Sequence, residues 1–403
     1  MKSKFQLLAS LAIVGAAFTF TSCEEDEPTP PVTNTVVLED NEKEITSNIT
    51  VDTRWYKDTI YILSNRVFVE SGAELTIDAG TVIKGGPGAG QNATALIVAR
   101  GAKINAVGTA SEPIIFTSTA DPIQPGELTS VMPNNLQGLW GGVIILGNAP
   151  ISVAGNVEEA AIEGIPATDS KGKYGGTNID DNSGVIKYIS IRHGGSDIGE
   201  GNEINGLTLG GVGRLTEIEN VEVVANKDDG IEFFGGSVNV TNALVWNNGD
   251  DAIDTDQAWS GTLTNVVIIN PGDEGFELDG PEGSTVGTGH TITNATLYAD
   301  GASGLVDLDD NSDVNFTNVL FLDLNEEEVQ DVEGYAGYAA NTNNFAAANW
   351  EVVLPAGGTL TNYFPGGADL ITTVVANEAS ATVGANTSAF TGWTWAEVAA
   401  DKF

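Results

Sequence analysis

The chain has 403 residues, with 56 Asp and Glu against 16 Lys and Arg, a formal net charge of -40, and 41% hydrophobic residues. That apolar mass suffices for a sizeable core, and the charge excludes nucleic acid and anionic phospholipid as main partners, because phosphates are repelled within the Debye length. One cysteine and two histidines exclude an internal disulfide and an ordinary structural zinc site, while 49 glycines predict a fold rich in turns.

Lys2, Lys4, the apolar run from Phe5 to Phe20 and the small polar residues after it read as a signal peptide over 1–22, too short for a membrane-spanning helix of the mature protein. Cys23, preceded by Thr21 and Ser22, stands where a bacterial lipobox places its acylated residue and so resembles a lipoprotein anchor, which makes the lipid the only contact with the membrane. Residues 23–34 form a tether: Glu24, Glu25, Asp26 and Glu27 are followed by the stiffening Pro28, Pro30 and Pro31. An acidic cluster after the cysteine resembles the surface-export signal of Bacteroidota lipoproteins, implying the outer membrane with the protein facing the cell exterior.

Residues 35–330 carry an internal repeat. NGLTL (205–209), DGIEF (229–233), DAIDT (251–255), EGFEL (274–278) and SGLVD (303–307) align at steps of 22 to 29 residues, each followed by a segment such as IENVEVV or LTNVVII. Two period-2 strands per unit, Gly and Asn at the corners and no helical period predict an all-β, right-handed parallel β-helix. The same unit occurs earlier as VFVESGAELTI (67–77) and LIVARGAKINA (96–106), and Pro- and Gly-rich stretches between Ala120 and Gly138 and between Val153 and Ser183 read as loops leaving the coils. Leu207, Leu209, Ile231, Phe233, Ile253, Phe276 and Leu278 are expected inside, with Val221, Val223, Val245, Val266, Ile268, Leu297 and Phe321 from the second strand. Asn220, Asn242, Asn265, Asn294 and Asn318 fall at one corner and predict an amide ladder.

The second strand is also apolar on its outer side, at Leu244, Trp246, Val267, Ile269, Tyr298, Leu320 and Leu322, so something must cover it. Residues 331–403 are expected to fold back as that cover, through Tyr335, Tyr338, Phe345, Trp350, Tyr363, Phe364, Trp393 and Trp395. A partner or carbohydrate platform is the other reading of the same face.

Three neighbouring coils stack acids into columns: Asp228, Asp250 and Asp273; Asp229, Asp251 and Glu274; and the outward Glu232, Asp254 and Glu277, with Asp256 and Asp279 starting another. At a coil spacing of about 4.8 Å each ionised pair repels by ~0.9 kcal/mol in bulk water. The columns therefore call for bound cations, raised carboxyl pKa values or bonds to turn amides. Ca²⁺ suits the first, accepting six to eight oxygens in loose geometry. Asp307, Asp309, Asn311 and Asp313 alternate as at the start of an EF-hand loop, with Ser312 in place of its glycine. Capping of tight turns by Asp side chains is the competing reading of both clusters.

The run from DDGIEFFGG to GFELDG resembles the catalytic coils of polygalacturonases, which implies Asp229, Asp250 and Asp251 as acid and base of a glycoside hydrolase. The chain departs from that pattern where Asp273-Glu274-Gly275 replaces a Gly-His-Gly and Val306-Asp307-Leu308 replaces an Arg-Ile-Lys. Lyase chemistry wants a base beside calcium, for which Arg192, His193 and Arg214 are the candidates. Across most of the mature chain, TRWYKDTIYILSNRVFVESGAELTIDAGTVIKG, GLWGGVIILGNAPI and YGGTNIDDNSGVIKYISIRHGG resemble a family of Bacteroidota β-helical surface lipoproteins of the pectate-lyase-like superfamily. Three functions are expected on these grounds. The first is a non-enzymatic binding or adhesion module for carbohydrate, dependent on calcium; the second is a polysaccharide-degrading enzyme; the third is an accessory subunit partnering an outer-membrane protein through the apolar outer strand.

Overall fold

The computed structural model describes residues 38–199, 203–284, 287–308, 311–324, 332–335 and 345–402. The export signal, Cys23, the tether, Tyr338 and Asp309 lie outside them. The described residues wind as a right-handed parallel β-helix, the sense expected of parallel crossovers. A sheet of fifteen strands and a sheet of nine strands run its length, and every strand pairing in them is parallel.

A typical coil runs from a short strand of the second sheet, such as Ile253–Asp256, through a turn to a long strand of the first, such as Thr262–Ile269. The long strands are bent. Asn220, Asn242, Asn265, Asn294, Asn318 and Asn349 each sit mid-strand at φ between 58 and 64°, the left-handed region that Asn tolerates better than other residues with a Cβ. Tyr188 (φ 53°) takes the same place in Gly184–Arg192, whose first half pairs with Lys103–Val107 and second half with Ile114–Ser118. Each bend thus divides one strand between two faces, giving the coil three sides. The amides stack as a ladder: Asn242 Nδ2 donates to Asn220 Oδ1 (2.8 Å), Asn265 to Asn242 (2.7 Å), Asn318 to Asn294 (3.0 Å) and Asn349 to Asn318 (3.0 Å).

All fourteen expected inward residues belong to one buried core that runs through the coils. The coil does not stop at residue 330. Val332–Glu333 extends the second sheet, Phe345–Val352 and Ile371–Val374 extend the first, and Phe345, Trp350, Tyr363 and Phe364 pack into the end of the inner core. They close the rod rather than cover its flank, because the left-handed Asn349 lets one more bent strand stack on Val314–Leu322.

Covering falls to the last residues. Phe390, Trp393, Trp395 and Ala396 pack on Val224, Leu244, Trp246, Val267, Ile269, Tyr298, Leu320 and Leu322. The Ala396 N–H donates to buried Glu222 Oε1 (2.9 Å), and Trp395 lies against Arg192, 5.1 Å from the ring centroid. A docking partner for that apolar strand would meet the chain's own residues instead. On the second sheet the insertion after residue 147 does the same work: Ile151, Val153, Ile162, Ile165 and Tyr174 bury the outward Phe68, Ile97, Ile144, Leu146 and Phe234.

Candidate functional site

Strand register sets which side chains line the outer face of the second sheet beyond that insertion. The central outward position passes, coil by coil, through Phe68, Ile97, Ile144, Thr208, Glu232, Asp254, Glu277, Asp307 and Glu333. The column is apolar under the insertion and acidic after it. Five carboxylates therefore share one line at a coil spacing of about 4.8 Å. Asp256 stands beside them, paired with Phe234.

The turns ahead of these strands supply a second line. Asp251 N–H donates to Asp229 Oδ1 (3.0 Å) and Glu274 N–H donates to Asp251 Oδ1 (2.7 Å), so each acid caps the next coil. The turn-capping reading thus describes one oxygen of each. Carboxylate oxygens of Asp228, Asp229 and Asp250 lie within 4.8 Å of one another, as do those of Asp229, Glu232 and Asp254. Calcium binds oxygens at roughly 2.3–2.6 Å, so oxygens on opposite sides of one ion stand about 5 Å apart, and both triads fit that span.

Residues remote in sequence complete the corner. Asn205 Nδ2 donates to Glu232 Oε2 and, at 3.3 Å, to Glu163 Oε1, which descends from the covering insertion. Lys227 pairs with Glu203. From residue 228 to 401 the sequence contains no Lys or Arg. Burial, followed by the charge of Asp250, pushes the Asp228 carboxyl up to about 6, and burial first of all takes Glu163, Asp256 and Glu274 to about 7. Burial and neighbouring carboxylates also raise Asp229, Glu232, Asp251 and Asp254 well above the usual range.

The structure brings together Asp228, Asp229, Glu232, Asp250, Asp251, Asp254, Asp273, Glu274, Glu277 and Asp307 along this flank. Asp307 and Asp313 belong to different sheets. Asp307 pairs in the second sheet, whereas Asp313 leads into Val314–Leu322 of the first and its carbonyl accepts from His290 N–H (2.9 Å). The bases a lyase would need are elsewhere too. Arg192 and His193 are buried against Trp395 on another face, and Arg214 pairs with Asp180 at 2.5 Å. Asn205 opens the repeat segment 205–209 at the position that Asp229 and Asp251 fill in the next coils, whereas Glu163 and Glu203 carry no repeat signal. Glu333 had one: it lies 26 residues after Asp307, inside the repeat's range of steps.

Comparison with curated proteins and with solved structures yields no match. A family model described as a pectate-lyase-like β-helix domain matches residues 44–397, a span from within the first strand, Glu42–Ile45, through the covering residues Phe390, Trp393, Trp395 and Ala396. That family fits a carbohydrate-related role. With this match added to the parallel coil, the asparagine ladder and the acidic flank, the chain belongs to the pectate-lyase-like β-helix domain family.

Proposed function

We propose that this protein is a non-enzymatic, lipid-anchored surface module that binds carbohydrate through calcium held on its acidic flank. The observation that carries this reading is the in-register line Glu232, Asp254, Glu277, Asp307 and Glu333, flanked by two carboxylate triads and lacking any cationic side chain within its strands. Uncompensated, neighbours in such a line repel; a divalent ion turns the repulsion into chelation and leaves coordination positions for sugar hydroxyls or carboxylates. Binding is favoured over lyase chemistry because the candidate bases Arg192 and His193 are buried against Trp395 and Arg214 pairs with Asp180, away from the acidic flank. The signal peptide and Cys23 support an outer-membrane anchor facing the cell exterior.

The test is a depletion assay of the full chain against a glycan panel, with calcium and with chelator, alongside product analysis of each polysaccharide. Calcium-dependent retention without turnover is the expected result. Turnover that is abolished by Asp250→Asn and Asp251→Asn would establish the hydrolase instead.

A further inference from the structure

Away from the acidic line, where the insertion after residue 147 leaves the coil, lies a cleft of about 500 Å³. Its volume falls within the roughly 300–1,000 Å³ of small-molecule sites. The walls come from Arg100 and Gly101 on a turn of the coil, and from Asn148, Glu158, Glu159, Thr177 and Asp181 on or beside the insertion. Arg100 is held from two sides: one terminal nitrogen donates to Gly175 O (2.7 Å) and the other to Glu159 Oε2 (2.7 Å). Lys173 Nζ donates to the second oxygen of Glu159 (2.7 Å), and the bonds from Lys173 and Arg100 pull that carboxyl down to about 2. Gly176 closes the wall at φ 155°, where an added Cβ would stand 2.0 Å from Asn148 Oδ1. Bare backbone and a fixed amide are therefore required there.

The charges select the ligand class. Glu158, Glu159 and Asp181 outnumber Arg100 on the walls, so an anion is repelled; a compact cation meets the guanidinium. A neutral molecule bearing many hydroxyls suits both, because each hydroxyl donates to a carboxylate or amide oxygen and accepts from a guanidinium or amide N–H. The geometry points to a calcium-independent subsite for a neutral saccharide in this cleft, separate from the acidic flank and resting on the carbohydrate-binding reading above.

Titration of the full chain with cello-, malto-, manno- and xylo-oligosaccharides in the presence of chelator tests it. Binding of at least one of them is expected. Thr177→Trp, an exposed position whose new side chain fills the cleft, is expected to weaken that binding about tenfold or more. Glu158→Ala, also exposed, removes a wall acceptor and is expected to weaken it too. Glu277→Gln on the acidic flank is expected to leave it unchanged. Binding that survives Thr177→Trp and Glu158→Ala, or that requires calcium and is lost in Glu277→Gln, overturns the subsite while the flank's own role stands. Failure of all four oligosaccharides in chelator also overturns it, and calcium-dependent retention on the glycan panel then decides the flank separately.

Discussion

Asp254 lies between Glu232 and Glu277 in the outer line, and its replacement by Asn should change the sign of its effect with calcium. With the line ionised and no cation bound, two neighbours at about 4.8 Å each repel by ~0.9 kcal/mol at bulk dielectric, so Asp254→Asn relieves up to about 1.7 kcal/mol. Burial and Glu277 raise the Asp254 carboxyl, so the full gain needs alkaline solution. With calcium saturating, the same change deletes a ligand. A hundredfold loss of affinity then removes about 2.7 kcal/mol of linkage stabilisation. Urea unfolding of the full chain at about pH 9, in chelator and in millimolar calcium, reads both limbs. Stabilisation in chelator and destabilisation in calcium are expected. The same sign and size in both would refute the reasoning, because it would mean that Asp254 neither feels its neighbours nor meets an ion.

Because burial raises Asp228 to about 6 and Glu163, Asp256 and Glu274 to about 7, the folded protein without calcium holds more protons than the unfolded chain between the ordinary carboxyl range near pH 4 and about pH 7. Its stability is therefore fullest below that window and falls as pH rises through it; urea midpoints across pH 4–8 should show the fall, and calcium should flatten it. Asn265→Ala should cost about 2–4 kcal/mol, since it removes the bonds to Asn242 and Asn386 and puts alanine at φ 64°. Asn265→Gly should recover the backbone part of that loss in the same unfolding assay. Trp395→Ala, opening the cover over Arg192 and Trp246, should cost about 3–5 kcal/mol and expose surface that binds a hydrophobic dye; an unchanged melting temperature would show that the cover does not hold the coil.

Legibility in the sequence tracked the repeat. Where each coil repeats its neighbour, alternation placed Leu207, Phe233, Ile253 and Phe276 inside, Asn242 and Asn265 at the corner, and Glu232, Asp254 and Glu277 in one outward line. Side-chain period two leaves no other arrangement once the step is known. Where the chain departs from the repeat, spacing is silent. Tyr188 occupies an asparagine's place because its ring packs edge-on against Trp393, a contact made across two hundred residues. Phe345 and Trp350 resemble a cover in composition, yet they stack on the last coil as core, which only strand pairing reveals. Glu163 reaches the acidic corner and Asn205 because an insertion folds onto the outer face, driven by apolar residues such as Ile162 and Ile165 rather than by any acid pattern. Asp307 and Asp313 alternate in the sequence but lead into different faces of the coil, which spacing alone does not reveal.

An electron-density map at high resolution, from crystals of the protein grown with calcium, addresses the acidic flank most directly. The expected result is an ion bound by Asp229, Glu232 and Asp254 at about 2.3–2.6 Å from their oxygens. Water alone among those three carboxylates, with calcium abundant in the crystal, would contradict calcium binding on this flank.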